Sequence, residues 1–81
     1  MASTGHREQR TPVYQRIAAE LRGRITSGVY GPGSRLPSET ELMDQWRVSR
    51  LTARKAVRLL VSEGLAEAEP GKGVYVVGAA A

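Results

Sequence analysis

The sequence contains no cysteine and no phenylalanine, and it has only one tryptophan and three tyrosines among its 81 residues. Without cysteine the chain can form neither a disulfide nor a thiolate nucleophile, which agrees with a reducing compartment. With so few aromatic side chains, small aliphatic residues must fill the core. A chain of this length makes one domain, which buries about 60% of the surface that its unfolded form exposes.

Long apolar runs are absent as well. No segment approaches the ~20 apolar residues that cross a membrane, and the first residues lack the apolar core of a signal peptide. The single histidine, His6, lies in a polar stretch without partners for catalysis or metal binding. We therefore expect a cytoplasmic protein that contacts no membrane, is not an enzyme and holds no metal or cofactor.

Positive charge is concentrated in one segment. The chain has a net charge of +4, and residues 47–62 hold five of its twelve Lys and Arg residues without any Asp or Glu. A basic stripe of this kind is typical of nucleic-acid-binding surfaces. The charge distribution therefore indicates a polyanionic partner.

The chain divides into a folded segment with two flanks. Residues 1–10 are polar and aperiodic, which predicts a disordered arm. Residues 11–77 form the predicted domain. Residues 78–81 are expected to be a frayed tail or the start of a linker.

The first helix is predicted from a cap and a periodic apolar face. Thr11 is the expected N-cap and Pro12 the first helical residue, and Gly28 ends the helix. Gly and Pro residues in the segment 28–34 forbid a continuing helix, and residues 35–36 are expected to form a very short strand. The apolar positions at helical spacing are Tyr14, Ile17, Ala18, Leu21 and Ile25.

Two shorter helices follow, each opened by a serine. Ser38 and Glu41 have the spacing of a capping box, in which each side chain bonds the backbone N–H of the other residue. This second helix is expected to end near Arg47. Ser49 is the predicted N-cap of a third helix, which Gly64 ends in the left-handed conformation. The buried face of the third helix is predicted to consist of Ala53, Ala56, Val57 and Leu60.

After the third helix the apolar pattern changes from helical to alternating. Residues 65–69 and 74–77 are predicted as strands, with the Pro-Gly-Lys-Gly run between them as a turn. Gly71 and Gly73 are expected to supply unusual backbone angles, so that Lys72 projects outward. The predicted fold is α+β, a winged helix-turn-helix with the order helix, short strand, helix, helix and two-stranded β-hairpin.

The third helix places its arginines beside its apolar face. At 100° per residue, Arg54 lies about 40° and Arg58 about 80° from Arg50, whereas the apolar residues lie between roughly 240° and 340°. Arginine suits bidentate contact with guanine edges and phosphates, and the helix N-terminus presents free amides to a phosphate. A basic helix face is often only solvated, but the absence of acids within this helix favours contact with nucleic acid.

Short motifs at fixed spacing run along nearly the whole predicted domain: Tyr14-Gln-Arg-Ile-Ala, Ile25-Thr-Ser-Gly28, Pro32-Gly-Ser-Arg-Leu-Pro-Ser-Glu39, Glu41-Leu42, Val48-Ser-Arg50, Thr52-Ala-Arg54, Glu63-Gly-Leu65, Gly71-Lys-Gly73 and Val76. Over residues 12–77 the chain thereby resembles the DNA-binding domain of the GntR family of bacterial regulators. The resemblance implies sequence-specific binding of double-stranded DNA by the operator-reading domain of a transcriptional regulator. Repression is the commonest outcome in that family.

The resemblance assigns expected contacts residue by residue on the third predicted helix, which is the recognition helix of the family. Ser49, Arg50, Thr52 and Arg54 match its start, where members of the family contact base edges and phosphates. Arg58 continues the basic row further along and is expected to contact the DNA backbone.

Outside that helix the resemblance points to the wing and to two further positions. Gly71, Lys72 and Gly73 match the tip of the wing, the predicted hairpin, which approaches the minor groove in this family, so we expect all three at the DNA with the Lys72 side chain projecting toward it. Arg35 matches a basic residue that can reach the DNA backbone. Thr40 matches a position, often Arg or another polar residue, where we expect a shorter and weaker phosphate contact.

Some residues depart from the family pattern or allow other interpretations. Leu51 stands where many members carry a polar or small residue facing DNA, so we expect it to contact a thymine methyl or to alter the sequence preference. Ala53 replaces a commoner valine in the core, and Trp46 matches a core aromatic position. Glu39 and Glu41 are expected to serve capping and the fold, because no nucleophile, metal ligand or pocket accompanies them.

The resemblance also bears on assembly. Members of the family usually continue into a C-terminal domain for effector binding and oligomerisation, so this chain is either an excised head of a homodimer or a stand-alone form. Alone, it has no heptad run and no leftover apolar face, which predicts a monomer that binds an inverted-repeat operator as two copies. The alternative is a winged-helix protein-interaction module without specific DNA readout, which would lack a steep salt dependence on DNA.

Overall fold

Three helices followed by a two-stranded antiparallel sheet form the structure, a computed structural model that describes residues 11–78. The expected arm over residues 1–10, His6 and the tail residues 79–81 lie outside this range. The bounds of the elements are α1 Val13–Thr26, α2 Glu39–Trp46, α3 Arg50–Ser62, β1 Ala66–Glu69 and β2 Gly73–Val76. This order confirms the predicted winged helix-turn-helix.

The start of α1 differs from the sequence prediction. Thr11 is not the N-cap, and Pro12 is not yet helical: Pro12 has φ −57° and ψ 144° and itself occupies the cap position without a side-chain cap bond. Its carbonyl accepts from the backbone N–H groups of Gln15 at 3.0 Å and Arg16 at 3.3 Å. The ring fixes φ but leaves ψ free, so a proline can stand just before a helix as readily as inside its first turn.

The predicted caps of α2 and α3 are confirmed. The Glu41 N–H donates to the Ser38 hydroxyl at 3.0 Å, and the Ser38 N–H donates to the Glu41 carboxylate at 2.8 Å. At α3, the Thr52 N–H donates to the Ser49 hydroxyl at 3.1 Å. Between the two helices Arg47 adopts the left-handed conformation with φ 56° and turns the chain.

The hairpin is closed by a short loop and extended on one side by the segment before α2. Strands β1 and β2 pair from Ala66 with Val76 to Glu69 with Gly73, so β2 begins one residue earlier than predicted. On the other edge of β2, the Leu36 N–H donates to the Val74 carbonyl at 2.8 Å. The short strand expected at residues 35–36 is therefore a single bridge rather than a regular strand.

The core lies where α1, α3 and the base of the hairpin meet. It includes the whole predicted apolar face of α3, and Trp46 packs against it while staying partly exposed. Four of the eleven buried apolar residues are alanines, which agrees with the expected core of small aliphatic side chains. Among residues 11–78, no helix has the length and apolar character to cross a membrane. The buried apolar residues are Ile17, Ala18, Leu21, Leu36, Leu42, Ala53, Ala56, Val57, Leu60, Ala66 and Val76.

Candidate nucleic-acid interface

The beginning of α3 presents its first residues on an exposed turn. Ser49 and Arg50 are exposed, and Thr52 is half-buried. The Ser49 hydroxyl accepts from the Thr52 N–H and donates to the Thr52 hydroxyl at 3.1 Å. These two hydroxyls therefore hold each other in place at the helix start, while the side chains of Arg50 and Arg54 extend beyond them.

Arg50 and Arg54 do not form an isolated row of cations. Both donate to Glu39, the first residue of α2: Arg50 through Nη1 at 3.1 Å, and Arg54 through Nε at 3.0 Å and Nη2 at 3.3 Å. The sequence shows no acid within α3, but the neighbouring helix supplies a carboxylate to the same surface.

These hydrogen bonds favour the ionised form of the Glu39 carboxylate. The bond from Arg54 is the largest influence and lowers the pKa of Glu39 below its ordinary value, against an opposing effect of partial burial. The bond from Arg50 lowers that pKa further. The same contact raises the pKa of Arg54, so each partner stabilises the charged form of the other.

An open cleft of about 280 Å³ connects α2, α3 and the hairpin. Its lining brings together four of the residues predicted to contact DNA, which come from the segment 35–40, the start of α3 and the hairpin: Arg35, Thr40, Arg50 and Gly73. The Arg35 side chain lies against Gly73, where a Cβ atom would come within 3.2 Å of the Arg35 Nε. Gly73 also has φ +126°, so a side chain there would meet both backbone strain and a close contact.

A second cleft of about 350 Å³ runs between α3 and the hairpin. Arg54 and Arg58 stand on its helix side, and its floor is apolar, with Val57, Val61 and Val74. Within residues 11–78, Arg58 pairs with no carboxylate. Arg54 and Arg58 thus line the same cleft, but only Arg54 is hydrogen-bonded to a carboxylate among the described residues.

Leu51 and Lys72 lie outside both clefts. Leu51 is 59% exposed, beside Arg50 on the first turn of α3. Lys72 stands at the tip of the hairpin loop, where Gly71 has φ +77° and the Lys72 N–H donates to the Glu69 carbonyl at 2.9 Å. The positive φ values of Gly71 and Gly73 confirm the backbone angles expected of this turn.

Two contacts at this surface were missed by the sequence analysis. One is the contact of Glu39 with both arginines, for which the only signal was its position one residue after the cap of α2. The other concerns Lys55, which belongs to the basic stretch but has its ammonium 5.7 Å from the centre of the Tyr14 ring on α1. Lys55 therefore contributes to contact between α1 and α3.

Comparison with known proteins identifies the family. The family described as "Bacterial regulatory proteins, gntR family" matches residues 13–76, which is most of the chain. The chain belongs to the GntR family.

GntR relatives share this region at substantial identity. The Exu regulon transcriptional regulator of Escherichia coli (strain K12) is 43% identical over 65 residues, which is 80% of this chain and 25% of that protein. The HTH-type transcriptional repressor NagR of Bacillus subtilis (strain 168) is 40% identical over 65 residues, 80% of this chain and 27% of that protein. The chain thus spans about a quarter of the length of these curated GntR relatives.

Solved structures agree with the GntR assignment. The crystal structure of AraR(DBD) in complex with operator ORX1 has a TM-score of 0.81 and 40% sequence identity, and covers 86% of this chain and 84% of that chain. YtrA from Sulfolobus acidocaldarius, a GntR-family transcription factor, has a TM-score of 0.76 and 38% identity over 89% of this chain and 60% of that chain. The architecture is therefore that of GntR winged-helix domains.

Proposed function

We propose that this GntR domain binds double-stranded DNA sequence-specifically, as the operator-reading part of a bacterial transcriptional repressor. The observation that carries the proposal is that α3, the loop before α2 and the hairpin enclose two clefts, one lined by Arg35 and Arg50 and the other by Arg54 and Arg58. The similarity to AraR(DBD) in complex with an operator and to the repressor NagR supports it.

In this proposal α3 enters the major groove with its first turns. Arg50 and Arg54 present planar forks that match the O6 and N7 acceptors of guanine. Ser49 and Thr52 contact phosphate or base edges beside them. Leu51 provides an exposed apolar group, which suits the methyl of a thymine.

The remaining contacts position the domain on the DNA backbone. Arg58 and Arg35 lie at the edges of the two clefts and reach phosphates, and Thr40 makes a shorter phosphate contact. Lys72 at the hairpin tip, between Gly71 and Gly73, extends toward the minor groove. Such contacts carry affinity and salt dependence rather than sequence information.

We infer that two copies bind an inverted-repeat operator, because two-fold related domains match two inverted half-sites. The domain alone is expected to be a monomer that binds each half-site weakly. In a longer protein, a C-terminal effector domain would link two heads as a homodimer and raise their effective concentration. Its chromosomal target implies a cytoplasmic location.

Selection of bound sites from a random duplex library tests this function. The expected result is a sequence logo with guanine positions and two inverted half-sites, and sedimentation of the free protein should give a monomer. A titration on random duplex should show affinity that falls steeply with salt. No enriched sequence, together with no salt dependence, would instead favour a protein-interaction module.

A further inference from the structure

Glu39 occupies an unusual place for a carboxylate on a DNA-binding surface. It lies on α2, yet its two oxygens accept from both arginines at the start of α3, at distances of 3.0 to 3.3 Å. The carboxylate side chain is 31% exposed, less than Arg50 at 52% and Arg54 at 42%. The negative charge of Glu39 therefore lies between the two guanidinium groups and is less exposed to solvent than either of them.

The carboxylate of Glu39 contributes little to the stability of the fold. The cap of α2 is made by Ser38 and Glu41, and α2 contributes Leu42 to the core. Ion pairs between partly exposed side chains add little to stability, because water screens the attraction and ordering the side chains costs entropy. A role in ligand binding explains the geometry better than a role in folding.

The hydrogen-bond pattern leaves one end of each guanidinium available. Arg54 uses Nε and Nη2 toward Glu39, which leaves the outer N–H groups of Nη1 and Nη2 unbound to the carboxylate. Arg50 uses only Nη1, which leaves its Nε edge. An arginine held in this way loses less side-chain freedom when it meets a guanine edge, and its fork has a defined direction.

The charge of Glu39 has the opposite effect on unselective binding. One carboxylate between two guanidinium groups leaves this cluster with half of its positive charge. Binding to random duplex depends on the number of cations that displace counterions, whereas base readout depends on donor geometry. A carboxylate at this position therefore weakens binding to random duplex and improves base readout.

We propose that Glu39 is a positioning residue that sets the selectivity of the domain: it aims Arg50 and Arg54 at guanine edges and suppresses their attachment to random DNA. This inference rests on the proposed function. Glu39 itself contacts no base and acts through the two arginines.

The test compares Glu39→Gln with the unaltered chain on two duplexes, the selected site and a random sequence, over a series of salt concentrations. Random-duplex affinity should rise several-fold, with a salt slope steeper by about one unit. The ratio of specific to random affinity should fall about tenfold, because the forks lose their fixed direction.

Two further variants separate charge from geometry. Glu39→Asp keeps the charge but shortens the side chain, so random-duplex binding should stay weak while the affinity ratio falls. Glu63→Gln is the matched control, because Glu63 forms a bidentate pair with Arg22 at 2.8 and 2.9 Å near the other end of α3. It should leave the affinity ratio unchanged, and thermal melting of all three variants monitors folding.

Equal behaviour of Glu39→Gln and Glu63→Gln would overturn the inference, since Glu39 would then act only as one surface charge. The proposed function would survive that result, because the unaltered chain would still prefer its site. A chain without any site preference would overturn both.

Discussion

The recognition helix and the hairpin contribute to the same surface but hold their cations differently. On α3, Arg50 and Arg54 are hydrogen-bonded to a carboxylate of another helix, and the helix itself is anchored by four buried side chains. At the hairpin tip, Lys72 is exposed on a short loop, with no ion pair within residues 11–78. The guanidinium groups at the start of α3 are therefore held in defined directions, whereas Lys72 contributes a positive charge without a fixed direction.

This difference matches the two kinds of contact that DNA offers. A base edge presents acceptors in fixed directions, and a planar guanidinium held in place can match them. A phosphate is a diffuse negative charge, and a flexible ammonium can follow it. The comparison therefore predicts that changes to the carboxylate-bound arginines at the start of α3 alter sequence preference, whereas changes at the hairpin tip alter affinity uniformly.

The strongest test of the comparison is Arg54→Ala. We expect a loss of about 1–3 kcal/mol in binding to the selected site and a relaxed preference at one base position. Arg58→Ala is the matched control on the same helix, because Arg58 has no carboxylate partner among the described residues. It should weaken binding to both selected and random duplexes. If Arg54→Ala behaved like Arg58→Ala, the two arginines would not differ in role.

The second change disturbs the place where the hairpin meets the rest of the surface. Gly73→Ala forces a side chain onto φ +126° and against the Arg35 Nε, so the free energy of unfolding should fall by about 1–3 kcal/mol. Gly71→Ala serves as control, since it has φ +77° but nothing within 4 Å of the added Cβ. Chemical denaturation measures both. An equal loss in the two variants would mean that neither the contact with Arg35 nor the more extreme φ of Gly73 contributes.

The third change tests the apolar part of the recognition helix. Leu51→Ala should leave the melting temperature unchanged, because Leu51 is 59% exposed, but should cost about 1 kcal/mol on the selected site. Replacing single thymines of that site by uracil removes one methyl group at a time. At the contacted position, the uracil duplex should show no further loss with Leu51→Ala. Independent losses at every thymine would contradict the assigned methyl contact.

The smallest expected effect belongs to Lys72→Ala. Thermal stability should not change, and affinity should fall slightly and equally for selected and random duplexes. The salt slope should decrease by about one unit, as expected for the loss of one phosphate contact. Measurement at several salt concentrations resolves this. An unaltered slope would place Lys72 in solvent rather than on DNA.

Most of the fold was predictable because its signals are local. The serine caps, the left-handed Gly64 and the buried face of α3 each depend on residues within one or two helical turns, and all were confirmed. Pro12 was predicted as the first helical residue but is the N-cap, one position earlier in the helix. Proline fixes φ but can adopt either helical or extended ψ, so the sequence does not distinguish the two positions.

The candidate surface was less predictable, because its decisive contact is not local. Glu39 meets Arg50 and Arg54 across 11 and 15 residues of sequence. A count of acids along α3 cannot detect a carboxylate that arrives from another helix. The family resemblance proposed the arginines as DNA contacts, but it was the packing of α2 against α3 that brought Glu39 between them.

The arrangement of strand edges has a consequence for behaviour at high concentration. Strand β2 is bonded on one edge by β1 and on the other by residues 34–36, so within the described residues the open edge of the sheet is that of β1. That edge carries the exposed Glu67 and Glu69 and runs into Pro70. Acidic side chains and proline disfavour the addition of a strand from another molecule. The exposed edge of the hairpin is therefore protected against pairing with the same edge of another copy.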